Sequence, residues 1–369
     1  MERYDKIILL ADVHYGVHVS SLEWLENITN YFQNFFIPFL KKERTENTCI
    51  VIMGDYFEDR QSLDINIMVH AIENMKELAS YVPVYMMIGN HDLYKKSGLD
   101  RNSLACLEDI PNVHVIGVED EGVKTIETVN GKHITMISWI EDHVKESALI
   151  HKYKKSSSVI LLHTELCGML YDNGREIKEG TVVNPEGVKI LSGHIHRRQS
   201  NKEGTMMYVG SPYHTERSDI GDQKGIYTLY TEDDELKIKF TPNTYSPVYM
   251  KVTLSLNENN SWIINRPFTD ITNNYVDIEL TEDVNNMINS NKVAEELYKY
   301  KPKNLTFRPI SKNIIVDTNN IEYTENTGIT TVFENTVQKL SLSEKQIDKI
   351  MKLNNNYIKT ASEELGIQI

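Results

Sequence analysis

Five apolar runs in this sequence break off at the same kind of residue: ILLADVH at His14, CIVIMGD at Asp55, VYMMIGNHD at Asp92, VILLHTE at Glu165 and VKILSGHIH at His196. A short continuous apolar run is the pattern of a strand buried on both faces, as parallel strands in α/β proteins are. Sheets of that kind keep their chemistry at the carboxyl edge, so a polar side chain that follows the run is delivered there. Strands ending in acid, amide or imidazole groups therefore predict one site assembled from distant parts of the chain. Its centre is the stretch Cys49 to Arg60, where Gly54 stops the run and hands over to the Asp55 carboxylate.

The segments between the runs predict what covers them. Leu25, Ile28, Phe32, Phe35 and Phe39 recur at helical spacing, with Pro38 expected to kink or end that helix. Ile65, Met68, Ile72, Met75 and Leu78 repeat the pattern ahead of Pro83. Strand, helix, strand, helix, strand implies a parallel core with right-handed crossovers. From Asn112 the pattern changes to short alternating runs, with Asn130-Gly131 as a hairpin turn. A helix is expected over Glu141 to Lys154, and strands at Met206 to Val209, Ile226 to Tyr230 and Leu236 to Phe240. The expected class is α/β: a two-sheet sandwich flanked by helices over residues 1–244. Residues 245–318 read as a small α+β capping domain. Residues 319–369 read as a polar linker and an amphipathic helical hairpin, with apolar positions at helical intervals from Val332 to Ala361.

Composition sets limits on function. At 369 residues the chain is too long for one ordinary core. Hydrophobic content of 40% with 25% charged residues is that of a soluble globular protein. No apolar run approaches the roughly 20 residues that span a bilayer. The start enters a strand without a signal-peptide layout, so a cytoplasmic location is expected and no membrane partner. Cys49, Cys106 and Cys167 are an odd number without metal spacing and read as reduced thiols. A net charge of −14 argues against a whole surface that traps nucleic acid. A nuclease is still allowed, because bound cations and a local basic rim can hold one phosphate while a partner holds the rest.

The chemistry-bearing motifs are Asp12-x-His14, Gly54-Asp55, Gly89-Asn90-His91-Asp92, His163 and Gly193-His194-x-His196. Asp12 and His14 stand two apart, as do His194 and His196, so each pair shares one side where the backbone is extended. Mixed oxygen and imidazole donors suit manganese, iron or zinc better than calcium. We assign Asp12, His14, Asp55 and His196 to one ion and Asp55, Asn90, His163 and His194 to a second, with Asp55 shared. Two carboxylates against two divalent ions leave a positive excess that a phosphoester and a hydroxide would neutralise. His18, His70, His114, His133, His143, His151 and His214 fall outside the pattern and are expected to be structural.

This five-part set resembles the signature of the calcineurin-like metallophosphoesterases, and the resemblance runs from about Ile7 to Pro242. GNHDLY at Gly89 to Tyr94, SGHIH at Ser192 to His196, YVGSP at Tyr208 to Pro212 and the helical tail are similar to the DNA repair nucleases of the SbcD type, closest to the recombination endonuclease subunits of T-even phages. The resemblance implies two divalent ions, manganese first, with magnesium, iron or zinc as substitutes. It implies that His91 contacts the phosphate and serves the leaving oxygen. Glu58 stands where many relatives carry a histidine or an aspartate, and its implied role is to orient His91. The implied partners are DNA and an SbcC-type coiled-coil ATPase gripped by the C-terminal helices, with a homodimer inside a heterotetramer. A phosphomonoesterase with the same ligands is the rival reading, since GDYFEDR is close to the GDxxDR of protein phosphatases. A non-catalytic scaffold is a second rival.

Overall fold

The computed structural model describes residues 3–95, 98–259, 261–280 and 290–309, with 346–347, 349–352 and 354 nearer the C-terminus. Met1–Ile278 and Ile288–Phe307 make one compact unit, and the remaining residues make a second. The site lies in the first.

Two mixed sheets form the body of that unit. The first runs, in spatial order, Glu235–Pro242, Gly225–Glu232, Lys6–Leu10, Thr48–Met53, Val84–Met87 and Val113–Ile116. Its last four strands are parallel; the alternating strand and helix pattern predicts the first three of them, while Val113–Ile116, expected to open the second layer, joins the first sheet instead. The second runs Arg3–Tyr4, Val123–Thr128, His133–Ile137, Val159–His163, Lys189–Gly193, Met206–Tyr208 and Gln199–Ser200. The Asn130-Gly131 turn joins an antiparallel pair, Val123–Thr128 with His133–Ile137. Gly225–Glu232 pairs antiparallel with Lys6–Leu10, so the chain returns to the first sheet after completing the second.

Alternation along the strands decides which core each side chain joins. Ile7, Leu9, Val51, Met53, Tyr85 and Met87 face Ile126, Ile134, Met136, Val159, Leu161 and Leu191 between the sheets. Ile8, Leu10, Ile50, Ile52, Val84 and Met86 face outward under Leu25, Ile28, Phe32, Ala71, Met75 and Leu78. Those residues belong to the helix that starts at Leu22–Tyr31 and to the helix Ile65–Tyr81. The outer face of the second sheet, Ile160, Leu162 and Ile190, packs with Ile150 of the helix His143–Tyr153.

Pro38 neither ends nor replaces the first helix. The five residues Phe32–Phe36 form a π-helical turn in which the Ile37 N–H reaches the Phe32 carbonyl, and α-helix resumes over Ile37–Glu43. Proline lacks a donor and crowds the carbonyl four residues back, and widening the preceding turn re-spaces those carbonyls.

A third, four-stranded sheet holds Trp262–Ile264, Tyr249–Leu256, Tyr275–Leu280 and Asn304–Pro309, with the helix Ser290–Tyr298 before its last strand. Aromatic stacking joins it to the first helix, since the Trp24 ring lies 5.5 Å from Tyr275 and 6.3 Å from Tyr249. Asn27 Nδ2 donates to the Tyr275 hydroxyl at 2.9 Å, and Arg217 pairs with Asp277. The expected linker at 319–328 lies outside the described residues. Of the helical tail only 346–347, 349–352 and 354 are described, and they are helical. Among the described residues no helix is long and apolar enough to cross a membrane.

Candidate metal centre

The loops that follow Lys6–Leu10 and Thr48–Met53 stay paired beyond the sheet. Asp12 N–H donates to Gly54 O at 3.2 Å, His14 N–H to Asp55 O at 3.0 Å and Tyr15 N–H to Tyr56 O at 2.8 Å. This zipper carries Asp12, His14 and Asp55 to one place. Asp92, from the neighbouring loop, fixes the middle of it. Its Oδ2 accepts from the Asp55 and Gly89 N–H groups and its Oδ1 from those of Tyr56 and Phe57, all between 2.9 and 3.1 Å. Asp92 is fully buried, and the motif that contains it was the only sequence signal for this positioning role.

The ligand residues do not remain extended. Asp12, His14, Asp55 and His194 have φ of 56°, 53°, 51° and 80°, in the left-handed region that non-glycine residues seldom adopt. The expectation that each spaced pair shares a side through strand geometry is therefore corrected. The strands end at Leu10 and Gly193, and sharp turns past the sheet edge aim the side chains instead. Strain of this kind is held only where the surroundings over-determine it, and it gathers at functional sites. The glycines make the space: a Cβ on Gly54, whose φ is +94°, would lie 2.4 Å from His163 Nδ1, and one on Gly89 would lie 2.2 Å from Asp55 Oδ1.

Two ligand groups result. Asp12, His14 and His196 present donor atoms within 4.8 Å of one another, and so do Asp55, His163 and His194. Asp55 Oδ2 lies 3.1 Å from His163 Nε2 and 3.9 Å from His14 Nε2, between the two groups, while its Oδ1 accepts from the His91 N–H at 2.8 Å. Asn90 Oδ1 stands 3.1 Å from His163 Nε2 and 2.7 Å from His194 Nδ1. All seven ligand candidates are thus brought together. A third group, His14, Glu58 and His91, adjoins them.

The donor set fits divalent cations. His163 Nδ1 donates to the Met53 carbonyl at 2.7 Å, which leaves the Nε2 lone pair pointing at two oxygens. His14 and His196 bring Nε2 against Nε2 at 3.0 Å. Asp12 Oδ2 is buried with no hydrogen-bond partner in the protein. Acceptor atoms crowded on one another without donors need a positive charge among them. Without a cation, protons must supply it. Burial opposes charging of His14, but its contacts with Glu58, Asp55 and Asp12 outweigh burial and raise it to about 9. Burial likewise opposes charging of His163, and Asp55 and Asp12 raise it to about 9. Burial and the neighbouring His14 and Lys224 charges hold His196 well below its ordinary value. For Asp55, burial is outweighed by His163, His14 and His91, which keep it ionised far into acid.

Glu58 differs from its expected use. Its carboxylate lies 2.6 Å from His14 Nδ1, while its backbone carbonyl, at 2.8 Å, accepts from His91 Nδ1. His91 is thus oriented by main chain, and Nε2 is the atom left to meet a substrate. Two further supports were given no role by the sequence, although one of them, Glu165, ends an apolar run. Glu165 Oε1 lies 3.4 Å from His194 Nε2, on the side of the ring away from Asn90. The buried Lys224 donates to the His196 carbonyl at 2.6 Å and pairs with Asp219 at 2.5 Å. Glu165 closes the VILLHTE run, so its place at this edge was signalled while its contact with His194 was not. Lys224 follows His196 by 28 residues with no local signal.

A sandwich of two mixed sheets under helices, with a candidate dinuclear His/Asp site at the strand ends, defines a metal-dependent phosphoesterase. The calcineurin-like phosphoesterase family matches residues 5–198, and the chain belongs to that family. Among solved structures it is similar to a Pseudomonas putida nuclease at 14% identity and TM-score 0.30, covering 61% of this chain and 84% of that one. It is also similar to a Thermotoga maritima protein solved by NMR, at 13% identity and TM-score 0.31, covering 65% and 99%. A phosphopantetheinyl hydrolase from Mycobacterium tuberculosis matches at 11% identity and TM-score 0.30, covering 57% and 92%.

Proposed function

We propose that this phosphoesterase is a DNA nuclease that cleaves phosphodiesters at strand ends, working with an SbcC-type ATPase. The observation that carries the reading is the groove beside the ligand cluster. It holds about 860 Å³, is walled by Gly16, His18–Ser20 and Glu58–Asp64, and has His91 among its lining residues. A groove open beside His91 leaves room for groups on both sides of a scissile phosphate. The sequence likeness to SbcD-type nucleases points the same way.

Bound at Asp12, His14, Asp55, Asn90, His163, His194 and His196, two divalent ions would supply an activated water and neutralise the charge of the phosphate. The protein does the rest. Asp92 and the Gly54–Tyr56 zipper fix Asp55 before substrate arrives, so no reorganisation is needed during the reaction. His91, with Nδ1 held by the Glu58 carbonyl, presents Nε2 to the departing oxygen and donates a proton to it.

The rival monoesterase reading is separated by comparing manganese-dependent hydrolysis of bis(p-nitrophenyl) phosphate with that of p-nitrophenyl phosphate. The proposal expects the diester to be preferred, and preference for the monoester overturns it. His91→Ala should lower diester turnover by about 10²-fold or more with manganese affinity kept. Unchanged turnover would contradict the role given to His91, and no turnover by the wild-type chain would support a scaffold.

A further inference from the structure

The side chain of Lys224 is 2% exposed, and its ammonium donates to the His196 carbonyl at 2.6 Å. That carbonyl also accepts the Ser211 N–H at 3.1 Å, so it would be satisfied without a charge. Taking an ammonium out of water is costly, and an apolar side chain would fill the same space at less cost. Two carboxylates make the burial possible, Asp219 Oδ1 at 2.5 Å and Asp222 Oδ2 at 3.8 Å. A buried polar network with its partners in place stiffens what it touches. Here that is the turn which sets His196 Nε2 against His14, and the next residue is held as well, since Arg197 N–H donates to Asp172 Oδ1 at 2.7 Å.

Both acids lie on turns that the third sheet grips. Asp219 ends the short turn Arg217–Asp219, and its Oδ2 accepts from the Thr215 and Glu216 N–H groups at 2.8 and 3.0 Å. Arg217, two residues before it, pairs with Asp277 of the strand Tyr275–Leu280. Asp222 is reached through His214, a buried histidine outside the ligand motifs. His214 Nδ1 accepts the Tyr249 N–H at 3.2 Å, so Nε2 carries the proton and donates to the Asp222 carbonyl at 3.0 Å. Tyr249 opens the strand Tyr249–Leu256. A cleft of about 420 Å³ lies between Asp222 and Gln223 on one side and Met250 and Lys251 on the other, so polar links connect the third sheet to the body here.

We propose that Lys224 is a positioning residue for the cation held by Asp12, His14 and His196, and that the third sheet governs it by holding Asp219 and Asp222. A shift of that sheet slackens both turns, loosens their hold on Lys224 and lets His196 move off its cation. None of the side chains Asn90, His163 and His194, which serve the second cation, takes part in these contacts. The inference rests on the two-cation reading of the site, and the choice of ester does not enter it.

The test is manganese calorimetry on the full chain, with manganese-soaked crystals to show which ion is affected. Lys224→Met is made together with Asp219→Asn, so that neither charge is left buried alone. The expected result is one manganese equivalent bound about tenfold or more weakly, the usual effect of losing a group that orients a ligand, with the other equivalent unchanged. The anomalous peak among Asp12, His14 and His196 should fade while the peak among Asn90, His163 and His194 stays. His214→Leu and Arg217→Met each cut one link to the third sheet. Each should weaken the same equivalent, and neither should add to the loss in the Lys224→Met, Asp219→Asn background. Equal weakening of both equivalents, or of neither, overturns the proposal, as does an effect of His214→Leu or Arg217→Met that persists in full in that background. If the paired variant does not fold, His214→Leu and Arg217→Met decide: loss confined to the one equivalent supports the proposal, and wild-type affinities overturn it. A wild-type chain that binds no manganese also overturns it, whereas one that binds manganese and prefers monoesters overturns the nuclease reading alone.

Discussion

At the scale of single residues, the centre is a cluster of groups that cannot be neighbours without added positive charge. His14 and His163 hold protons to about 9, against an ordinary value of 6.5, because burial is outweighed by carboxylates around them. A group whose folded value is raised stabilises the fold fully below its unfolded value and loses that contribution as pH rises through the folded one. Metal-free protein should therefore lose stability between pH 6.5 and 9. Cations compete with those protons, so the stabilisation given by manganese should grow across the same window, and binding at pH 7 should release protons. Thermal melts at pH 6 and pH 9, with and without manganese, check this. A manganese increment that is larger at pH 6 contradicts it.

At the scale of elements, what positions the ligands is the set of turns after the strands. Gly89→Ala would place a Cβ 2.2 Å from Asp55 Oδ1 and 2.3 Å from the Asp55 nitrogen. Overpacking of this kind costs about 1–3 kcal/mol, and the shift falls on the shared carboxylate. Calorimetry should show loss of at least one manganese equivalent, together with a lower urea midpoint. Two equivalents bound at wild-type affinity would contradict the role given to that glycine. The same turns mark the limit of what the sequence revealed. The apolar runs announced the parallel strands and the order of the ligands, because burial on two faces leaves a continuous hydrophobic signature. The left-handed conformations of Asp12, His14 and His194 were hidden, since a spacing of two says nothing once the strand has stopped. Likewise Pro38 signalled a disturbance in the first helix, but the π turn that absorbs it comes from register within the helix and leaves no pattern of its own. Lys224 reaches His196 through tertiary packing alone.

At the scale of the whole molecule, a chain with a net charge of −14 is a poor collector of DNA on its own, which favours a division of labour with a partner. We propose that residues 319–369 carry that docking and that 245–318 act as a capping domain. Removing Thr331 to Ile369 should abolish co-elution with the ATPase while leaving manganese-dependent hydrolysis of small diesters unchanged. Continued co-elution of the shortened chain would contradict the docking role. Underneath that assembly lies the claim that Asp55 sits between two cations, and the most direct test is anomalous scattering from crystals soaked in manganese. The prediction is two peaks, one among Asp12, His14 and His196 and one among Asn90, His163 and His194, both against Asp55. A single peak, or none, would contradict it.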